Sequence, residues 1–287
     1  MDRFVLLAVA LLGAACATEL VVHEFGPDDA LFTAVIVCGM HPREVITRDV
    51  CDSWVRLLQD RPPRRMRVVL VPNANPEGVE QLERDECWRG NARGVDLNRN
   101  WPLLDCETPD DDDEHVLIEQ EWSHGDHPLS EWETRQLYDL LQREQPHLLL
   151  AIHSGIQAFL TPYDACARSP INYEAHVKLA KWLRRDICDE CIVARSPRIL
   201  YYSRGTMTDW AYHHLQVPLV FTLEIFEGPE PDDPTSCAQL FSPAPNTPNY
   251  IRVLSKWRRM MKRLVNIDSD DYLALLEMAD VVEATDE

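Results

Sequence analysis

Beyond its first residues the sequence has no apolar run long enough to cross a bilayer as a helix, no internal repeat, and no surplus of positive charge. The first lack excludes a later transmembrane helix. The second excludes a repeat architecture. The third excludes nucleic acid as a partner, because the formal charge is −20 and no basic face could neutralise phosphates against that background. Signs of a fibrous, collagenous or wholly disordered chain are missing too, with 45% hydrophobic and 26% charged residues. At 287 residues there is room for one large core or two small ones. The acidic surface serves solubility or steers cationic ligands.

Residues 4–12 form an unbroken apolar run, too short to span a bilayer. Ala15-Cys16-Ala17 then has the small-x-small pattern of a cleavage site, so a signal peptide is expected over residues 1–17 and the mature chain is expected to be secreted or extracytoplasmic. A lipoprotein anchored through Cys16 is the alternative, although Gly13 stands where such sites usually carry leucine. A buried first strand or helix is the structural reading of the same run.

Without Cys16, eight cysteines remain: Cys38, Cys51, Cys87, Cys106, Cys166, Cys188, Cys191 and Cys237. An even count in an exported chain predicts disulfides without choosing their pairing. Cys188-Asp-Glu-Cys191 has the spacing of a zinc knuckle or redox pair. With no second such pair to complete a four-thiolate site, a local disulfide or two thiols is expected.

Residues 33–38, 67–71, 148–153 and 218–224 are short β-branched or leucine-rich runs suited to buried strands. Residues 45–59 carry helical spacing through Val50, Trp54, Leu57 and Leu58, which makes a strand-helix-strand unit with a parallel pairing. Ser130-Glu-Trp-Glu133 fits a capping box and predicts a helix over 131–145. A long helix is expected over 250–265, and residues 266–287 read as an acidic tail, helical or disordered. The acidic run at 110–114 reads as a solvated loop. One domain over 18–265 accounts for the rest.

Two of these strands deliver a polar group at the C-terminal end, His153 and Glu224, and open α/β sheets bind ligands outside those ends. His41-Pro-Arg-Glu44 leaves another strand end in a loop, where histidine and glutamate three apart can turn toward one ion. That spacing alone is common and fits a salt-bridged loop equally well. With His153 it completes the two-histidine, one-carboxylate set that a catalytic zinc uses, leaving a fourth position open. Asp96 is spaced to orient a ligand histidine from behind.

Five segments in order make the resemblance specific. Gly39-Met-His-Pro-Arg-Glu44, Asn75-Pro-Glu-Gly78, Arg89-Gly-Asn-Ala-Arg-Gly-Val-Asp-Leu-Asn-Arg-Asn-Trp101, Ile152-His-Ser154 and Phe221-Thr-Leu-Glu224 resemble the zinc metallocarboxypeptidases of the carboxypeptidase A/B superfamily. The resemblance implies a single α/β domain with a mixed, twisted sheet of about eight strands and helices on both faces. It implies one zinc per chain on His41, Glu44 and His153, and Glu224 as the base that activates the attacking water and returns the proton to the leaving amine. It further implies Arg89 as the cation steadying the carbonyl oxygen. Asn98 and Arg99 match the grip on the terminal carboxylate, which a planar guanidinium binds in bidentate fashion. Arg43 matches an auxiliary substrate arginine, and Tyr201 a mobile tyrosine, one position uncertain because Tyr202 adjoins it.

Gly155 stands where digestive members carry tyrosine, and no propeptide separates the expected signal from the catalytic segment. The Arg89–Trp101 string is closer to the regulatory N/E branch, whose extra β-sandwich domain this length does not accommodate. Thr208 replaces the aspartate of basic-selective digestive enzymes, whereas Asp164 falls where the regulatory branch binds lysine or arginine. An aspartate after a turn is often only a cap. The expected partners are peptide or protein C-termini. The alternatives are a zinc amidase or deacylase, which needs no complete carboxylate clamp, and a non-catalytic peptide-binding relative, which would usually have lost a ligand or the base.

Overall fold

The computed structural model describes residues 19–106, 123–229 and 236–280. The expected signal segment with Cys16, the acidic run at 110–114 and residues 281–287 lie outside them. Along the chain run β1 (His23–Phe25), β2 (Thr33–Val37), α1 (Val45–Asp60), β3 (Arg67–Val71), the single turn α2 (Pro76–Val79), α3 (Trp132–Glu144), β4 (Leu148–Gly155), β5 (Gln157–Thr161), α4 (Tyr173–Arg184), β6 (Ile192–Arg195), α5 (Met207–His213), β7 (Leu219–Glu227), α6 (Cys237–Phe241), α7 (Pro248–Val265) and α8 (Ser269–Asp280).

The strands form one mixed sheet in the order β1-β3-β2-β4-β7-β5-β6. Its centre, β3-β2-β4-β7, is parallel, while β1 and β5 join antiparallel. Parallel strands covered on both faces read as continuous apolar runs, which is why residues 33–37 and 148–152 show no polar alternation. Their side chains nevertheless alternate between two cores. Ala34, Ile36, Val68, Leu70, Leu148 and Leu150 face α1, α4 and α7; Val35, Val37, Val69, Val71 and Leu149 face α3 and α5. Trp54 and Trp257 anchor the first core, each indole N–H bonded to a backbone carbonyl, at 3.0 and 2.8 Å. Truncating either to alanine would cost about 3–5 kcal/mol.

Two sequence expectations need correction. The described sheet has seven strands rather than about eight. On the β3 side it ends in the three-residue β1, because Gly26 at φ +94° and Pro27 turn the chain into the approach to β2. The capping box does not form at α3. The Ser130 hydroxyl accepts from Asn100 Nδ2 and donates to Glu131, and Glu133 is buried against Asn91, so the helix starts one residue later than predicted. Of the two readings of the segment after Asn266, the helical one holds over Ser269–Asp280: this is α8, whose Leu275 and Ala279 are buried with Ile267 in the first core.

All eight cysteines outside the first segment are paired: Cys38–Cys51, Cys87–Cys237, Cys106–Cys166 and Cys188–Cys191. No helix among the described residues is long and apolar enough to cross a membrane.

Candidate active site

The parallel strands β2, β4 and β7 end at one edge of the sheet, and the loop leaving β2 folds over that edge. Gly39 permits the turn, with φ +67° and only 2.8 Å between a would-be Cβ and the Arg48 side chain. Thr47 then pins the loop, accepting from the Gly39 amide and donating to the Glu44 carbonyl. Glu44 occupies the N-cap of α1 but its carboxylate caps nothing. It turns instead toward two histidines. Glu44 Oε1 lies 2.7 Å from His41 Nδ1, and Oε2 lies 3.1 Å from His153 Nδ1. The two Nδ1 atoms are 3.2 Å apart.

That donor set fits a zinc ion. Two nitrogens bound tetrahedrally at about 2.1 Å stand about 3.4 Å apart, close to the separation seen. All three residues are buried, and they are the one such cluster of histidine, cysteine and acidic residues among the described residues. Burial lowers the His41 pKa, helped by the Arg89 charge. Burial would raise the Glu44 carboxyl, but the facing histidines outweigh it and hold it well below the usual range. His153 goes the other way: burial lowers it, but the Glu44 charge and hydrogen bond, with the Glu224 charge, together outweigh burial and raise it. A cation at the meeting point of the three would take over the balancing role of a proton on His153.

Asp96 joins this cluster to the next. One carboxylate oxygen lies 3.1 Å from His41 Nε2 and accepts from the Asn98 amide at 2.8 Å; the other accepts from Arg89 Nε at 2.7 Å. Burial opposes its ionisation, and the Arg89 and His41 charges overcome that, keeping it well below the carboxylate range. His41 is therefore oriented from behind, as metal-binding histidines usually are. Asn75 completes the support, bonding the Met40 and Gly90 carbonyls and so tying the β2 loop to the Arg89 loop.

One cleft of about 250 Å³ is lined by every residue singled out in the sequence as metal-binding, catalytic or substrate-binding: His41, Arg43, Glu44, Arg89, Asn98 and Arg99, and farther along the chain His153, Asp164, Tyr201 and Glu224. Glu224 stands in register beside His153 on the neighbouring strand. Its Oε2 is buried without a partner. Burial, reinforced by the Glu44 charge, pushes its pKa up to about 7. A carboxyl poised near neutrality can take up and release a proton. Arg99 spends two donors on the Asn98 carbonyl and the Tyr201 hydroxyl, at 2.8 and 3.1 Å. Tyr201, not Tyr202, lines the cleft. The Asn98 side-chain oxygen accepts from the Met207 amide, which leaves its NH2 end to act on a ligand.

Asp164 is 4% exposed, and its Oδ2 accepts from the Thr206 and Thr208 hydroxyls at 2.8 and 2.7 Å. Behind it, Asp209 accepts from the Asp164 and Ala165 amides. Burial and the Asp164 charge push Asp209 well above the carboxylate range. Sequence reasoning missed Phe241, which lies under the Arg43 guanidinium at 4.3 Å, and Asn91, which knots the loop between Trp88 and Val95. Asn91 lies within the Arg89–Trp101 string, which could have flagged it, whereas no spacing or composition marks Phe241; only a fold that returns α6 to the strand ends reveals it.

The family model described as zinc carboxypeptidase matches residues 30–247. Carboxypeptidase A6 of Homo sapiens is 27% identical over 233 residues, covering 72% of this chain and 52% of that protein. Murein peptide amidase A of Escherichia coli is 33% identical over 129 residues, covering 42% and 43%. The chain spans about half the length of the first curated relatives it matches. Among solved structures, bovine thrombin-activatable fibrinolysis inhibitor in complex with tick carboxypeptidase inhibitor superposes with a TM-score of 0.65 at 20% identity, covering 92% of this chain and 86% of that one. Carboxypeptidase A from Helicoverpa armigera gives 0.62 at 19%, covering 88% and 70%. These likenesses show a shared fold, and with the family match extending over most of the sequence, the chain belongs to the zinc carboxypeptidase family.

Proposed function

We propose that the protein is a zinc-dependent exopeptidase that hydrolyses the C-terminal peptide bond of peptides or proteins, with one zinc on His41, Glu44 and His153. The observation that carries this reading is the sharing of one cleft by the metal cluster, the Glu224 carboxylate with its unpartnered Oε2, and the Asn98–Arg99 pair. Zinc in that place supplies Lewis acidity and makes water acidic near neutral pH. Glu224 takes the proton from the attacking water and returns it to the leaving amine. Asn98 and Arg99 hold the terminal carboxylate, Tyr201 closes on it, and Arg43 binds the upstream chain. Arg89, raised above its ordinary pKa by Asp96 despite burial, stays cationic and steadies the carbonyl oxygen as it gains charge. A peptide with a free C-terminus should be cleaved and its C-terminal amide should not; equal rates would refute the exopeptidase reading.

Lysine or arginine is the preferred terminal residue in this proposal. Asp164 and Asp209 together form a buried carboxyl pair with no cationic partner among their hydrogen bonds, which a substrate ammonium or guanidinium would relieve. The proposed preference agrees with the sequence resemblance to the regulatory N/E branch and with the net charge of −20. Asp164→Asn should lower kcat/KM for C-terminal arginine about tenfold or more relative to C-terminal phenylalanine; an unchanged ratio would exclude Asp164 as the selector. Residues 1–17 act as a secretion signal ahead of a catalytic domain over 18–265 in this proposal, in keeping with four disulfides. An amidase is the second reading, favoured by the match to murein peptide amidase A, and the same amide substrate distinguishes it.

A further inference from the structure

Helix α6 is held at the cleft by unusually little. It is five residues long and none of its side chains is buried. A single turn of that kind has no stability of its own. Yet it brings Phe241 to the cleft wall, 4.3 Å beneath the Arg43 guanidinium, and its backbone lies so close to Gly228 that a Cβ there would come within 2.5 Å of Leu240 Cα. Two hydrogen bonds tie its C-terminal end to the body: Ser154 Oγ to the Phe241 carbonyl at 2.5 Å, and the Ile46 amide to Ser242 Oγ at 2.8 Å.

The other end is held by the Cys87–Cys237 disulfide, which spans 150 residues of sequence. Cys87 stands two residues before Arg89. Around it the loop is shaped by the Asp85 carboxylate on the Cys87 amide and by the Trp88 indole on the Asn91 carbonyl. The Trp88 carbonyl accepts from the Arg43 amide at 3.1 Å, so the same loop also contacts the β2 turn that carries His41 and Glu44. The bond thus joins the support of Arg89 to the support of Phe241. Both cysteines are only partly buried, and neither contributes to a core.

We propose that the Cys87–Cys237 disulfide is a positioning element of this active site: it clamps α6 to the Arg89 loop so that Arg89 and the Arg43–Phe241 wall keep their places in one cleft. The proposal deepens the exopeptidase reading and rests on it. The disulfide touches no substrate and acts through these residues. A shift of about 1 Å in such a group is enough to cost up to about a hundredfold in rate.

The test compares the Cys87→Ser/Cys237→Ser double variant with Cys188→Ser/Cys191→Ser, a pair that closes the turn between α4 and β6. Each is assayed for zinc content, for kcat and KM on a blocked dipeptide with a free carboxylate, and for amide hydrogen exchange. The clamp variant should keep its zinc, lose on the order of tenfold or more in kcat, and exchange faster over 85–91 and 237–242 together. The control pair should keep its zinc and its kcat, with no faster exchange over those two segments. Reduction of the wild type and reoxidation should lower and then restore kcat. Unchanged kcat in the clamp variant overturns the proposal. So does loss of zinc or a chain-wide rise in exchange, which would make the bond a general staple. If the wild type cleaves no C-terminal peptide, the exopeptidase reading fails, and exchange alone decides the clamp: a rise confined to those two segments supports it, and any other pattern overturns it.

Discussion

The buried imidazole of His176 should make this protein lose stability in mild acid. His176 on α4 is fully buried, 3.2 Å from the Asn172 carbonyl through Nδ1 and 3.1 Å from the Val220 amide through Nε2. The carbonyl can only accept and the amide can only donate, so the ring is neutral with its proton on Nδ1. A second proton would meet the Val220 N–H head-on. Burial lowers the pKa from 6.5 to about 4, the Asn172 carbonyl opposing it. Above 6.5 both folded and unfolded states are neutral and the group contributes no pH dependence. As pH falls through 6.5 the unfolded chain takes a proton the folded chain refuses, and stability drops until pH reaches about 4, where the folded state protonates too. At about 1.4 kcal/mol per pH unit the full loss is about 3 kcal/mol, a large share of a typical domain's stability. Urea denaturation from about pH 8 to about pH 4, in chelator, should show this slope in the wild type and not in His176→Gln. The variant should be less stable at the alkaline end by about 1–3 kcal/mol, having lost a paired ring, and the gap should close in acid. Parallel curves, or an NMR titration of His176 near 6.5, would refute the reasoning. Because Val220 leads along β7 to Glu224, the measurement also reports on the strand that carries the proposed base.

Glu224→Gln should lower kcat by roughly 10²–10⁴-fold while zinc stays stoichiometric, since the glutamine keeps the shape and loses the basicity; retained activity would remove Glu224 from the proton transfer. Gly205→Ala should destabilise by about 1–3 kcal/mol, read as a lower melting temperature. Gly205 has φ +70°, and a Cβ there would stand 2.5 Å from the Arg99 carbonyl and 3.2 Å from that of Trp101. The same push should raise KM for free-acid peptides, because it displaces Arg99; an unchanged melting temperature and KM would show that the chain absorbs the methyl group.

Read alone, the sequence determined the strand runs, because parallel strands packed on both faces must be continuously apolar, and residues 34–37, 68–71 and 148–152 are. It also singled out His153 and Glu224, because polar groups at the ends of apolar strands are costly unless they are used, and His41 and Glu44, whose spacing in a loop completes a zinc set with His153. Local signals failed where distant groups competed for the same atoms. Ser130 and Glu133 spell a capping box, but Asn100 and Asn91, some 30 and 42 residues earlier, claim their oxygens. The spacing of Cys188 and Cys191 allowed a local disulfide, but only the tertiary structure chose the other three pairings, because pairing depends on distance in space and not along the chain. It alone separated Tyr201 from Tyr202, which adjacency made equal, and brought Phe241 and Cys237 back to a cleft whose other walls were formed before residue 225. Residues that bind one ion must lie within a few ångströms of each other, and the sequence separation of 112 between His41 and His153 is closed by the parallel alignment of β2 and β4.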